Sequence, residues 1–199
     1  MIRKKQEHKM FNKRNIISFF IAMIMVSSIL AIWQGSGDPN TQPDYNGHKV
    51  TFDKTKYKIK IDNGYAFGYT YPSSLETYSL DLGMISYLRS SDTVAILFDP
   101  ADSALRYIEV LRYDLAQDDL PGLGITPGFV ITQTNETYSY PVTSCLNTTY
   151  PTIYLMTDNT TSSGTIYQDV GCVVLSAPDW QELVRLKDRL VYGLYGVMG

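Results

Sequence analysis

An α+β or layered α/β fold, set behind an N-terminal transmembrane helix, is what this sequence predicts. Three observations carry that reading. A long uncharged, apolar run follows a basic leader; alternating aromatic and aliphatic residues then signal a β-hairpin; and later strand patterns are interleaved with two main stretches of helical period. The expected architecture is a mixed sheet that starts with the hairpin and is covered by two main helices. At 199 residues the chain has room for one ordinary domain besides an anchor.

The leader comes first. Arg3, Lys4, Lys5, Lys9, Lys13 and Arg14 precede Asn15, with Glu7 as the one acid among them, so a net charge of -3 for the whole chain conceals a basic leader and an acidic remainder. No formal charge occurs from Asn15 to Gly37, and Ile16 to Trp33 is apolar apart from Ser18, Ser27 and Ser28. A helix over that run reaches roughly 27–34 Å, close to the hydrocarbon thickness of a bilayer. The bias in Lys and Arg places residues 1–14 in the cytoplasm, residues 15–34 across the membrane and the rest outside. A buried core helix fits an apolar run behind six cations poorly. A cleaved signal peptide shares the order of basic then apolar residues, but its apolar region usually runs about 7–15 residues and ends at a small-x-small site. Ala31-Ile32-Trp33 matches that site poorly, and Arg14-Asn15 lacks the small residue that a pilin-type leader would need. The expected partner of Ile16 to Trp33 is the lipid bilayer.

Residues 35–47 are rich in Gly, Pro and polar groups and read as a linker, with the exported domain expected over 48–199. Val50 and Phe52 open an alternation that continues through Tyr57, Ile59 and Ile61 and resumes at Tyr65, Phe67, Tyr69 and Tyr71. A three-residue Asp62-Asn63-Gly64 loop would pair Ile61 with Tyr65, Ile59 with Phe67 and Tyr57 with Tyr69, with Gly64 in a left-handed bulge. Lys54, Lys56, Lys58 and Lys60 then form a solvated face. A short helix is expected over Leu80–Leu88 and a strand over Thr93–Phe98. Asp99-Pro100-Ala101-Asp102 reads as a helix start, with Asp99 as N-cap and Pro100 at the first helical position, and Pro121-Gly122 stops that helix near Asp119. Strands follow at Phe129–Thr132, Thr152–Met156, Gly164–Gln168 and Cys172–Leu175. A last helix starts near Ser176 to Asp179 and carries Trp180, Leu183, Val184, Leu186, Leu190, Val191 and Leu194 at helical spacing.

The two cysteines, Cys145 and Cys172, both follow the anchor, and a disulfide in an oxidising compartment is the expectation. A metal site would need further ligands, and His48 is the one histidine beyond the anchor. Three N-glycan acceptor triplets begin at Asn135, Asn147 and Asn159, in polar stretches that read as loops.

Chemistry is thinly represented. Nucleophilic triads need an imidazole, and His48 sits beside the linker. Asp99 with Asp102, and Asp118 with Asp119, are the carboxylate pairs available for general acid and base work, although the first suits a helix cap and the second a helix end. Asp118 and Asp119 lack the spaced acidic loop of a calcium site. Pro121-Gly122-Leu123-Gly124 and Pro127-Gly128 read as turns, since neither leads from a strand into a helix with a following Lys-Ser or Lys-Thr. The acidic balance disfavours nucleic acid as a partner. No catalytic, cofactor-binding or metal-ligating residue is expected.

The basic leader and anchor, Tyr45-Asn46-Gly47 before the hairpin, Phe98-Asp99-Pro100, the cysteine pair and the closing Leu186-Lys187-Asp188-Arg189-Leu190-Val191-Tyr192-Gly193 resemble a set of small, uncharacterised, membrane-anchored archaeal proteins. The resemblance implies an exported, disulfide-containing domain and no particular activity. The expectation is therefore a single-pass membrane protein whose extracytoplasmic domain serves binding or envelope assembly, with a protein or glycan as its outside partner. The alternatives are a tethered hydrolase using paired carboxylates and an accessory subunit of a membrane complex. A concave pocket with two convergent acids favours the hydrolase; an exposed apolar or tyrosine-rich patch favours the binder.

Overall fold

The computed structural model describes Met23, Ile24, residues 43–62 and residues 64–199. Met23 and Ile24 are helical; the remainder of the expected anchor and most of the linker lie outside the described residues. Among the described residues no helix is long and apolar enough to cross a membrane. The chain divides at Thr41–Gln42 into two units, and the account below concerns the second.

Eight strands and three helices build this α+β domain. β1 (Val50–Asp53), β2 (Lys56–Ile61) and β3 (Gly64–Gly68) form an antiparallel sheet. β4 (Thr93–Phe98), β5 (Thr126–Ile131), β6 (Thr152–Thr157), β7 (Thr165–Asp169) and β8 (Cys172–Ala177) form a second sheet in the order β5-β4-β6-β8-β7. In it β5, β4, β6 and β8 run parallel and β7 is antiparallel. The mixed sheet therefore does not begin with the hairpin, whose strands pair only among themselves.

The hairpin register also differs from expectation. Ile61 pairs with Gly64, Ile59 with Ala66 and Tyr57 with Gly68, which leaves two residues in the loop instead of three. Gly64 accordingly belongs to β3, with φ of 155° instead of a left-handed helical value. Because side chains alternate with period two, this one-residue shift turns Tyr65 and Phe67 to the lysine side, opposite Lys60 and Lys58, and gives the inner side to Gly64, Ala66 and Gly68. The cause lies across the interface. A β-carbon on Gly68 would stand 2.3 Å from Tyr192 Oη, so only a bare backbone admits that ring.

α1 (Leu82–Arg89) is capped by Asp81, whose Oδ1 accepts from Gly83 N at 2.6 Å. α2 (Leu105–Asp114) starts later than Asp99-Pro100 suggested. Asp99 and Asp102 each accept from the backbone N–H two residues on, making successive turns that delay the helix. α3 (Trp180–Leu194) begins as expected, with Asp179 accepting from Glu182 N at 2.9 Å. Pro127 and Gly128, read as a turn, lie inside β5; that strand is an edge, where a proline without an N–H is tolerated.

All three helices cover one face of the mixed sheet. Ile85 and Leu88, Ile108 and Leu111, and Leu183, Leu186 and Leu190 join Val94, Ile96, Phe98, Ile153, Leu155, Val173 and Leu175 in the main core. The opposite face carries a smaller cluster of Leu97, Val174, Cys145 and Cys172. α3 also faces the three-stranded sheet, where Tyr192, Val197 and Met198 pack with Val50, Ile59, Ala66 and Leu75. Residues 43–46 are already held by the domain: Tyr71 Oη donates to Pro43 O at 2.6 Å, and Asn46 Nδ2 to Val197 O at 3.3 Å.

Candidate functional site

Three places combine the residue types from which function is built. The first is an open crevice at the carboxyl ends of β4 and β6. β5 lies on one side of β4 and β6 on the other, so the chain changes direction here, the usual position of ligands in open α/β sheets. Asp99, Asp102, Tyr154, Thr157 and Asp158 line a volume of about 300 Å³. Its carboxylates are engaged internally. Asp102 Oδ1 accepts from Ala104 N and Thr157 Oγ1, and its Oδ2 from Thr157 N at 2.8 Å, tying the loop after β4 to the end of β6. Asp99 Oδ1 accepts from Ala101 N and Gln133 Nε2, and Asp158 Oδ1 from both polar hydrogens of Thr160. The hydrogen bonds to Thr160 hold Asp158 below the usual carboxylate range. The expected Asp99–Asp102 pair is thus a brace.

The second place is a buried charge network between the two sheets, which the sequence reading did not find. Lys187 on α3 is 1% exposed, and its Nζ lies 2.9 Å from Asp188 Oδ1 and 3.6 Å from Asp119 Oδ2. Asp188 Oδ2 accepts from the backbone N–H groups of Tyr69 and Thr70, at 2.7 and 2.8 Å. Asp114 receives Lys56 Nζ on one oxygen at 2.9 Å and Tyr69 Oη on the other at 2.7 Å. Lys56 is therefore drawn inward and does not share the solvated face expected of its strand. Tyr192 Oη completes the join by donating to Thr70 O at 2.8 Å.

A local distortion makes the network. After Asp114 the helix widens into a π-turn over Leu115–Asp119, closed by Leu120 N to Leu115 O at 2.9 Å. In a regular helix, positions five apart would point about 140° from each other. The widened turn lets Asp114 and Asp119 both reach the lysines, while Asp118 stays half exposed, 3.5 Å from Lys56 Nζ.

Three buried carboxylates, Asp114, Asp119 and Asp188, thus face two ammonium groups, and Asp119 is the surplus one. Burial pushes its carboxyl up to about 6, against the pull of Lys187. Burial opposes the charge of Lys187 as well, but Asp188 and Asp119 outweigh it and hold that amine above the ordinary lysine range. Since the folded-state value for Asp119 exceeds the unfolded one, stability is greatest at low pH for this group and falls as pH rises through about 6. The loss is on the order of 3 kcal/mol. Asp119→Asn is accordingly expected to be the more stable form at pH 7.5 and to flatten the stability profile between pH 4 and 7. Urea unfolding midpoints across that range check it; an unchanged slope would assign the titration to another group.

The third place is an apolar groove of about 240 Å³ between α2 and α3, lined by Tyr69, Tyr107, Val110, Leu111, Trp180 and Val184. Tyr107 and Trp180 stack with centroids 4.2 Å apart and planes at 5°. Val110 is 51% exposed and Tyr113, one turn along the same helix, 63%. Trp180 and Val184, expected to face the core, line this groove, and Val184 packs against the main core as well.

Of the residues singled out from the sequence, Cys145 and Cys172 are disulfide-bonded, with Cα atoms 5.2 Å apart. Gly171, whose N–H donates to Cys145 O at 3.1 Å, gives that bridge its close approach to the β7–β8 turn. Asn135, Asn147 and Asn159 are all exposed, and none lies on α2 or α3. His48 Nδ1 lies 3.1 Å from Lys60 O at an exposed edge. Pro121–Leu123 forms a 3-10 turn ended by Gly124 at φ 76°. Among the described residues no group of three His, Cys, Asp or Glu side chains is placed to hold a metal ion. The chain matches no known family, no curated relative and no solved structure.

Proposed function

We propose that this chain is a single-pass membrane protein whose domain lies outside the cell and works by binding, as an envelope-assembly module, without catalysing a reaction. The observation that carries the reading is the exposed aromatic groove of Tyr107, Val110 and Trp180. Stacked aromatic rings beside exposed Val110 and Tyr113 gather apolar surface in one place, as contact surfaces do. The hydrolase alternative has its carboxylates in the crevice, but both oxygens of Asp102 and Oδ1 of Asp99 and Asp158 accept hydrogen bonds from within the domain, and no imidazole lines the crevice. The disulfide agrees with an oxidising compartment, and the uncharged run after the basic leader with an anchor.

Complementation of a deletion strain separates the two readings. Asp99→Asn combined with Asp158→Asn keeps at each position a side-chain oxygen to accept from the backbone N–H groups of Ala101 and Thr160 while removing both charges, and this variant is expected to restore the wild-type envelope. Tyr107→Ser with Val110→Asp is expected not to. The opposite pattern would make the crevice the working site.

A further inference from the structure

Among the described residues no strand pairing joins the three-stranded sheet to the mixed one, and the apolar cluster around Val50, Ile59 and Ala66 is separate from the main core. Much of what joins them is polar. Asp188 on α3 accepts from Tyr69 N and Thr70 N, Asp114 from Lys56 Nζ and Tyr69 Oη, and Tyr192 Oη donates to Thr70 O. Each ammonium group also lies against the Tyr69 ring, Lys56 Nζ at 5.1 Å and Lys187 Nζ at 5.2 Å from its centroid.

Asp119 decides the charge balance of this join. With its carboxyl neutral, Asp114 and Asp188 match Lys56 and Lys187. With it ionised, three buried carboxylates face two ammonium groups, and the half-exposed Asp118 adds to the excess. Asp119 is also the carboxylate with the poorest contacts. It is 3% exposed, its Oδ2 has no hydrogen bond among the described residues, and Lys187 Nζ, 3.6 Å away, lies closer to Asp188 Oδ1 at 2.9 Å. The other titratable groups packed around it are the phenols of Tyr69, Tyr192 and Tyr195, the last donating to Asp119 O at 2.8 Å. Burial holds all three above the ordinary tyrosine range, so they stay neutral wherever a carboxyl titrates.

We propose that Asp119 is a proton-operated latch between the two sheets: its neutral form holds the three-stranded sheet against α3, and loss of the proton lets that sheet lift away while the mixed sheet stays folded. The latch is independent of the anchor and of the binding reading, since it uses residues of the second unit alone. Its direction follows from linkage. In the closed join burial raises the Asp119 carboxyl to about 6, and opening returns it to water and its ordinary 3.8, so the open form gains as pH rises through about 6. Between pH 4 and 8 the ratio of open to closed forms is expected to rise by up to roughly 60-fold.

Native-state hydrogen exchange of the full chain in detergent, read by mass spectrometry and corrected for the intrinsic rate at each pH, tests the latch. Peptides covering β2, β3 and Tyr69–Thr70 are expected to lose protection from pH 4 to 8 and to exchange at rates nearly indifferent to low urea, the mark of a small opening. Peptides from β4, β6 and β8 are expected to be better protected and to speed up with urea. Asp119→Asn is expected to keep at pH 8 the protection that wild type shows at pH 4, whereas Asp118→Asn, at the half-exposed neighbour, retains the wild-type response. One protection level and one urea slope for both sets of peptides would overturn the separate opening. A wild-type change below about threefold, or a pH response that survives Asp119→Asn, would overturn the latch.

Discussion

Lys187→Met is expected to lower the unfolding free energy by about 3–5 kcal/mol, because it leaves Asp119 and Asp188 buried with their cation removed. The loss exceeds that of an ordinary core truncation of similar volume, since the methionine restores the packing and the remaining deficit is electrostatic. Urea unfolding of the full chain in detergent, followed by far-UV circular dichroism, measures it. Adding Asp119→Asn to Lys187→Met is expected to recover part of the deficit, because the double variant carries one uncompensated carboxylate fewer. If Lys187→Met unfolds at the wild-type urea concentration, the network contributes nothing and the join between the sheets must rest on Tyr192 and the apolar cluster around it.

Opening the Cys145–Cys172 bridge is the other large effect. The bond closes a loop of 27 residues, and on the chain-entropy model its loss costs about 3.5 kcal/mol. A packing consequence adds to this. The three helices cover one face of the mixed sheet, while the cluster on the other, around Leu97 and Val174, is completed by the bridge itself and by Val130, Tyr154 and Met156. Cys145→Ser with Cys172→Ser is expected to show the full decrease without reductant, and wild type to show it only with reductant. Alkylation in freshly lysed cells is the companion measurement: unmodified Cys145 and Cys172 are expected until reductant is added. Prompt labelling of both thiols would remove the bond from the native protein and with it the support for an oxidising compartment.

How far the sequence exposed this design depended on the interaction concerned. β4 was legible to the residue, and β6, β8 and α3 nearly so, because unbroken apolar runs and the Asp179 cap are local signals that the packed fold keeps. The hairpin was misread for a reason of size. Aromatic residues signal a buried face when nothing is known of what lies opposite, yet here Tyr192 occupies the space, Gly68 lies against its ring and Ala66 is buried on the same side of the strand. Helical spacing marked Trp180 and Val184 as apolar without saying that their side of α3 stays open.

The charge network was hidden more deeply. Lys187 and Asp188 are adjacent in the sequence, and adjacent charged residues on a helix ordinarily mark a solvated face. Their burial follows from α3 lying between two sheets, so that more of its circumference is covered than an amphipathic stripe allows. Nor does Asp118-Asp119 announce a π-turn; the turn shows only once Asp114 and Lys56 are seen to meet. The exposed groove and the crevice likewise depend on how α2, α3 and the strand ends come together, which no single stretch encodes.

Protease treatment of intact cells, with and without permeabilisation, bears most directly on the central claim of an anchored domain that works outside. Digestion from the outside is expected to remove an epitope tag fused after Gly199 while a tag placed before Met1 survives until the membrane is opened. Survival of the tag after Gly199 alongside loss of the tag before Met1 would reverse the orientation and contradict the account.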